Sequence, residues 1–78
     1  MIVKVYSTPI CAYCIQLKEF LKQKGIEFEE VDISLDNQAA QEMIEKSGQM
    51  GVPVVEIDGK MIIGFKKDKL METLGISE

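Results

Sequence analysis

Residues 2–25 read IVKVYSTPICAYCIQLKEFLKQKG, and the change of period inside that stretch decides the fold. Ile2 to Tyr6 are β-branched or aromatic apart from Lys4, the composition of a strand, and the Ser7-Thr8-Pro9 cluster ends the run in a loop. From about Ala12 to Lys24 the apolar residues Tyr13, Cys14, Leu17, Phe20 and Leu21 recur at helical spacing among Gln16, Lys18, Glu19, Lys22 and Gln23. Lys22 and Lys24 complement the negative end of the helix dipole, and Gly25 stands where a C′ glycine stops a helix. A strand thus feeds a helix, with Cys11-Ala12-Tyr13-Cys14 at the junction.

Downstream, Ile26-Glu27-Phe28-Glu29 and Val31-Asp32-Ile33 alternate apolar with acidic side chains, with a slip at Glu30, and predict a strand over residues 26–33 near a sheet edge. Strand, helix and strand with short links imply a parallel pair joined by a right-handed crossover. Ser34 to Asn37 supply candidate N-caps for a second helix whose face carries Ala39, Ala40, Met43, Ile44 and Ser47 and which ends at Gly48. Val54-Val55-Glu56-Ile57 and Lys60-Met61-Ile62-Ile63 flank Asp58-Gly59, the signature of a hairpin with a two-residue type I′ turn. A short helix over about residues 68–75, with Asp68 as N-cap and Leu70 and Leu74 inward, completes βαβαββα, an α/β domain with a mixed sheet and helices on its faces. No repeat or linker divides residues 1–78, so one domain is expected.

Composition narrows the function. The chain of 78 residues has nine lysines against thirteen Asp and Glu, a net charge of -4, which disfavours a protein that tracks nucleic-acid phosphates. No apolar run approaches the ~20 residues that span a bilayer, and Met1-Ile2-Val3-Lys4 lacks the basic-then-apolar order of a secretory signal, so a soluble cytoplasmic protein with no membrane partner is expected. Zero histidines remove imidazole bases, Ser-His-Asp triads, Cys-His nucleophiles and His metal sites.

The two cysteines are the remaining chemistry. Two thiols without histidine do not complete a four-ligand zinc or iron–sulfur site in one chain, although carboxylates or a shared dimer site could, and haem attachment fails because position 15 is Ile. A structural disulfide between residues 11 and 14 closes too short a loop to constrain the unfolded chain much, and two inert core thiols are the other bland reading. The favoured reading is a redox-active dithiol. Cys11 precedes the first helical turn, where free N–H groups and the helix dipole stabilise a thiolate, making it the nucleophile. Cys14, one turn on and further inside, is the resolving thiol. Cys11 attacks a disulfide, a mixed disulfide forms, and Cys14 displaces the product, with no tightly bound cofactor and no metal.

With these residues placed, residues 3–74 resemble a glutaredoxin, a small member of the thioredoxin fold with a four-stranded mixed sheet. The resemblance is carried by Tyr6-Ser7-Thr8-Pro9, Cys11-Ala12-Tyr13-Cys14, Gly51-Val52-Pro53 and Gly64-Phe65. It implies a cis bond before Pro53, main-chain recognition of the substrate cysteine by Val52, a groove bordered by Tyr13, and substrate contacts from Gly64 and Phe65. It also implies disulfide substrates, of proteins or small thiols, for a monomer recharged by glutathione or by thioredoxin reductase. Two alternatives follow from it: a dimer holding a [2Fe-2S] cluster through Cys11, and a peptide-binding module without turnover.

Several positions depart from the glutathione-using pattern. Ala12 replaces a common proline, Thr8 and Pro9 stand where a lysine is typical, Gly51 replaces a common threonine, and Lys66-Lys67 precede Asp68 where a G-x-D-D or G-x-S-D stretch is frequent. These departures weigh against glutathione as co-substrate; Gly64-Phe65-Lys66-Lys67-Asp68 resembles the hydrogen donors of ribonucleotide reductase, and Ser47-Gly48-Gln49-Met50-Gly51-Val52-Pro53 resembles the small bacterial and archaeal glutaredoxin-like proteins of undefined substrate, the group favoured here. Lys60, Lys66, Lys67 and Lys69 are read as a solvated face before a basic patch for acidic partners.

Overall fold

The computed structural model describes residues 2–76. Its elements are β1 (Val3–Ser7), α1 (Ala12–Gln23), β2 (Glu29–Asp32), α2 (Asn37–Ser47), β3 (Val54–Ile57), β4 (Lys60–Ile63) and α3 (Lys67–Leu74), the expected βαβαββα order. They form one mixed sheet in the order β2-β1-β3-β4, with β1 parallel to β2 and antiparallel to β3, and β3 antiparallel to β4.

Strand alternation sorts the side chains into two layers. Val3 and Val5 of β1, with Val55 and Ile57 of β3 and Ile62 of β4, meet Leu17, Phe20 and Leu21 of α1 and Leu70 and Leu74 of α3. Tyr6 and Val54 point to the other face, against Met43 of α2. The helices therefore cover both faces. On the α2 side Glu56 accepts hydrogen bonds from the Tyr6 hydroxyl at 3.3 Å and the Lys46 ammonium at 3.2 Å, tying α2 to β3 through a half-buried carboxylate. Burial and the neighbouring Glu56 carboxylate raise the Tyr6 pKa above its ordinary 10.0.

The hairpin forms as its turn residues dictate: Asp58 (φ 48°) and Gly59 (φ 89°) both take the left-handed conformation that a type I′ turn requires. The turn also holds the start of β1, since Ile2 N–H donates to the Asp58 carboxylate and Asp58 N–H to the Ile2 carbonyl.

Four expectations are corrected. β2 begins at Glu29, because Ile26 is committed elsewhere: its N–H donates to Leu21 O at 2.9 Å and Gly25 N–H to Lys22 O, closing the end of α1, while Ile26 and Phe28 pack on the core. β1 runs from Val3 through Ser7, one residue later than expected. α3 starts one turn-fraction earlier, with Lys66 in the N-cap position and no side-chain cap; Asp68 lies in the first turn, where a carboxylate still complements the helix dipole. The inward stripe of α2 is Ala39 and Met43, with Ile44 exposed. Asp36 is its N-cap, accepting from Ala39 N–H.

Candidate active site

Four chain segments converge at the end of the sheet where β1 finishes. The β1–β3 pairing ends at Tyr6 and Val54, so Ser7 and Thr8 leave β1 at the same end of the sheet where Val52 and Pro53 enter β3. Gly64, at the exit of β4, donates its N–H to Pro53 O at 2.8 Å and takes the left-handed φ of 82° that this approach needs. Cys11 N–H donates to Thr8 O at 3.4 Å, which hangs the start of α1 on the same strand end.

Cys11 is the N-cap of α1. Its backbone is extended (φ −98°, ψ 111°), and its sulfur takes the place of the usual hydroxyl or carboxylate, accepting the Cys14 N–H at 3.1 Å. The Cys11 side chain stays half-exposed, whereas Cys14 is fully buried on the inner face of α1 with Leu17 and Leu21. Burial pushes the Cys14 thiol up to about 11, and its hydrogen bond to Cys11 adds to the shift; the Thr8 backbone pulls the other way. One sulfur is thus accessible and dressed by an amide, and its neighbour is enclosed and protonated.

The other site residues fall in two groups. Val52 and Pro53 join the cysteines' end of the sheet: the Val52–Pro53 peptide is cis, Pro53 is buried, and among the described residues the Val52 N–H and C=O have no intramolecular partner. Gly64 reaches them through its bond to Pro53. Tyr13, expected both in the apolar stripe of α1 and at a groove, is 64% exposed and lies outside the stripe. Phe65 packs on the core, its ring 5.8 Å from that of Phe20 at 60°, and lines a groove of about 300 Å³ with Ile15, Gln16 and Lys67. Lys67 extends over Phe20, whereas Lys60 and Lys69 line a separate depression with Glu72.

Two features went unread in the sequence. Ile10, immediately before Cys11, is 96% exposed, and Met50 is 75% exposed just ahead of the Gly51-Val52-Pro53 segment. The Gln49 side-chain amide closes on Gly51, accepting from its N–H at 2.6 Å and donating to its C=O at 3.0 Å. The glycine ahead of Val52-Pro53 was the available signal. Among the described residues no group of three or more His, Cys, Asp or Glu is arranged to hold a metal, and no helix is long and apolar enough to cross a membrane.

The Glutaredoxin family model matches residues 3–62, which include the dithiol, the cis-proline segment and the hairpin up to its last residue but one. The chain belongs to the glutaredoxin family. A glutaredoxin-like 8.6 kDa protein from the rubredoxin operon of Clostridium pasteurianum is 48% identical over 73 residues, covering 90% of this chain and 97% of its own. Glutaredoxin 3 of Escherichia coli K12 is 37% identical over 62 residues, 80% of this chain and 75% of its own. The crystal structure of a variant of the thioredoxin-like protein BC3987 superposes with a TM-score of 0.91 at 35% identity and covers 96% of each chain. This glutaredoxin therefore has the thioredoxin-like fold and a family whose general activity is thiol-disulfide oxidoreduction.

Proposed function

We propose that this glutaredoxin reduces disulfides through a dithiol cycle in which Cys11 attacks and Cys14 resolves. The observation that carries the reading is the Cys11 sulfur in the N-cap position, accepting the Cys14 amide proton beside a buried, protonated Cys14 thiol. Cys11 reacts as the thiolate from the N-terminus of α1, and the cycle uses no histidine base. The Cys11 thiolate attacks a substrate sulfur, the disulfide breaks, and the leaving thiolate takes the bonding pair and a proton from solvent. Cys14 then loses its proton and displaces the bound substrate thiol, leaving the Cys11–Cys14 disulfide. An external dithiol or two thiols return the electron pair.

In this reading the free Val52 N–H and C=O pair with the backbone of the substrate cysteine, and Tyr13 borders the groove. The partners are disulfides of proteins or small thiols, the setting is the reducing cytoplasm, and the protein acts as a monomer without a bound cofactor. Thr8 and Pro9 before the dithiol and Lys66-Lys67 before Asp68 favour thioredoxin reductase over glutathione as the donor.

The test is a trapping experiment on single-cysteine variants. Cys14→Ser, mixed with a chromogenic disulfide, accumulates a stable mixed disulfide on Cys11 seen as an added mass, whereas Cys11→Ser forms none. Equal trapping by both variants refutes the division of roles.

A further inference from the structure

The segment that enters β3 is held by a side chain standing in for a strand. Gln49 Oε1 accepts the Gly51 N–H at 2.6 Å while Gln49 Nε2 donates to the Gly51 C=O at 3.0 Å. The opposite amide orientation would set donor against donor and acceptor against acceptor, so the chemistry of Gly51 fixes this one. A single planar amide reaches both groups only if they point the same way, as they do in an extended residue exchanging two bonds with a neighbouring strand.

The Gly51 C=O and the Val52 N–H share one planar trans peptide and point in opposite directions. With that carbonyl held by Gln49, the Val52 N–H faces away from it, and among the described residues the N–H and C=O of Val52, at a bend of the chain, have no partner. We propose that Gln49 is a positioning residue: by gripping both polar groups of Gly51, its amide aims the main chain of Val52 at the substrate cysteine. The inference rests on the reading that Val52 receives substrate backbone.

Two further observations support it. The grip is anchored, because the Ser47 hydroxyl donates to Met43 O at 2.6 Å in the last turn of α2 and accepts the Gln49 N–H at 3.4 Å. The helix that packs Met43 into the core thereby sets the direction of the loop. The grip also dictates the residue it holds. A Cβ on Gly51 would lie 2.8 Å from Gln49 Oε1, so any side chain there must push the amide away. That oxygen ends a flexible side chain near the surface, so Gly51→Ala releases the grip without disturbing the core.

The experiment compares two disulfides with the same leaving group in single turnover: a cysteinyl peptide and 2-mercaptoethanol, each carried as its mixed disulfide with thionitrobenzoate. Attack by reduced Cys11 joins it to the carrier sulfur and releases coloured thionitrobenzoate with the bonding pair. Only the peptide has N–H and C=O groups to pair with Val52. For Gln49→Ala and Gly51→Ala the peptide rate constant is expected to fall about tenfold, or about 1.4 kcal/mol, while the mercaptoethanol rate stays within about twofold. Because both substitutions release one grip, the double variant is expected to be no slower than either single one. Gln49→Glu, which keeps the acceptor and loses the donor, is expected to fall between. Equal losses on both substrates, multiplying losses in the double variant, or no loss on the peptide overturn the role of Gln49. A wild-type protein that releases thionitrobenzoate from neither carrier instead overturns the oxidoreductase reading.

Discussion

Raising pH on native, reduced protein in the presence of iodoacetamide separates the two thiols by a margin set by their surroundings. Only thiolate is alkylated. With its proton held up to about 11, Cys14 is ionised in about one molecule in ten thousand at pH 7, about a hundredfold less than a thiol at 9.0. Its complete burial slows reagent access further. Cys11 is half-exposed at the helix start and open to the reagent. Mass spectrometry at pH 7 should therefore show one adduct per chain, on Cys11, with the second appearing only in urea. Between pH 8 and 10 the Cys14 rate should climb about tenfold for each unit, as expected below its titration. Two adducts forming at comparable rates in native protein at pH 7 would refute the inequality on which the proposed cycle depends.

Two measurements test the fold beneath the site. Leu17 is fully buried between α1 and the sheet, so Leu17→Ala should cost about 2–5 kcal/mol in urea unfolding; a loss under about 1 kcal/mol would mean the core does not close there. Alkaline stability follows from Cys14 and Tyr6, whose folded pKa values are both raised. Between the unfolded value of 9.0 for the thiol and about 11, the folded chain holds protons that the unfolded chain releases, so stability falls as pH rises through that window. The urea midpoint at pH 11 should lie below that at pH 8, and an unchanged midpoint would contradict the buried, neutral state of these groups.

Local chemistry made most of this protein legible. Asp58-Gly59 between two apolar runs specified the hairpin, and the β1-to-α1 period change placed Cys11 at a helix start. Legibility failed where long-range commitments overrode local pattern. Ile26 alternates like a strand residue, yet its N–H is used to close α1. Tyr13 has helical spacing, yet the sheet lies under Cys14, Leu17 and Leu21 and leaves it exposed. The tilted packing of Phe65 on Phe20 joins residues far apart in the chain, and no local pattern records it. The Gln49 grip needs a side-chain rotamer that no periodicity records.

The sheet order β2-β1-β3-β4 leaves two long margins besides the short free backbone at Val52. The proposed cycle pairs substrate backbone at Val52, and open sheet margins elsewhere template aggregation. Along β2 the exposed Glu29 and Glu30, with Asp32, charge one margin, and Lys60 opens the other on β4. Replacing those carboxylates with threonine or valine leaves the dithiol untouched and strips the charge that opposes strand pairing along β2, so the guard against stray pairing sits at the sheet's margins, away from the dithiol.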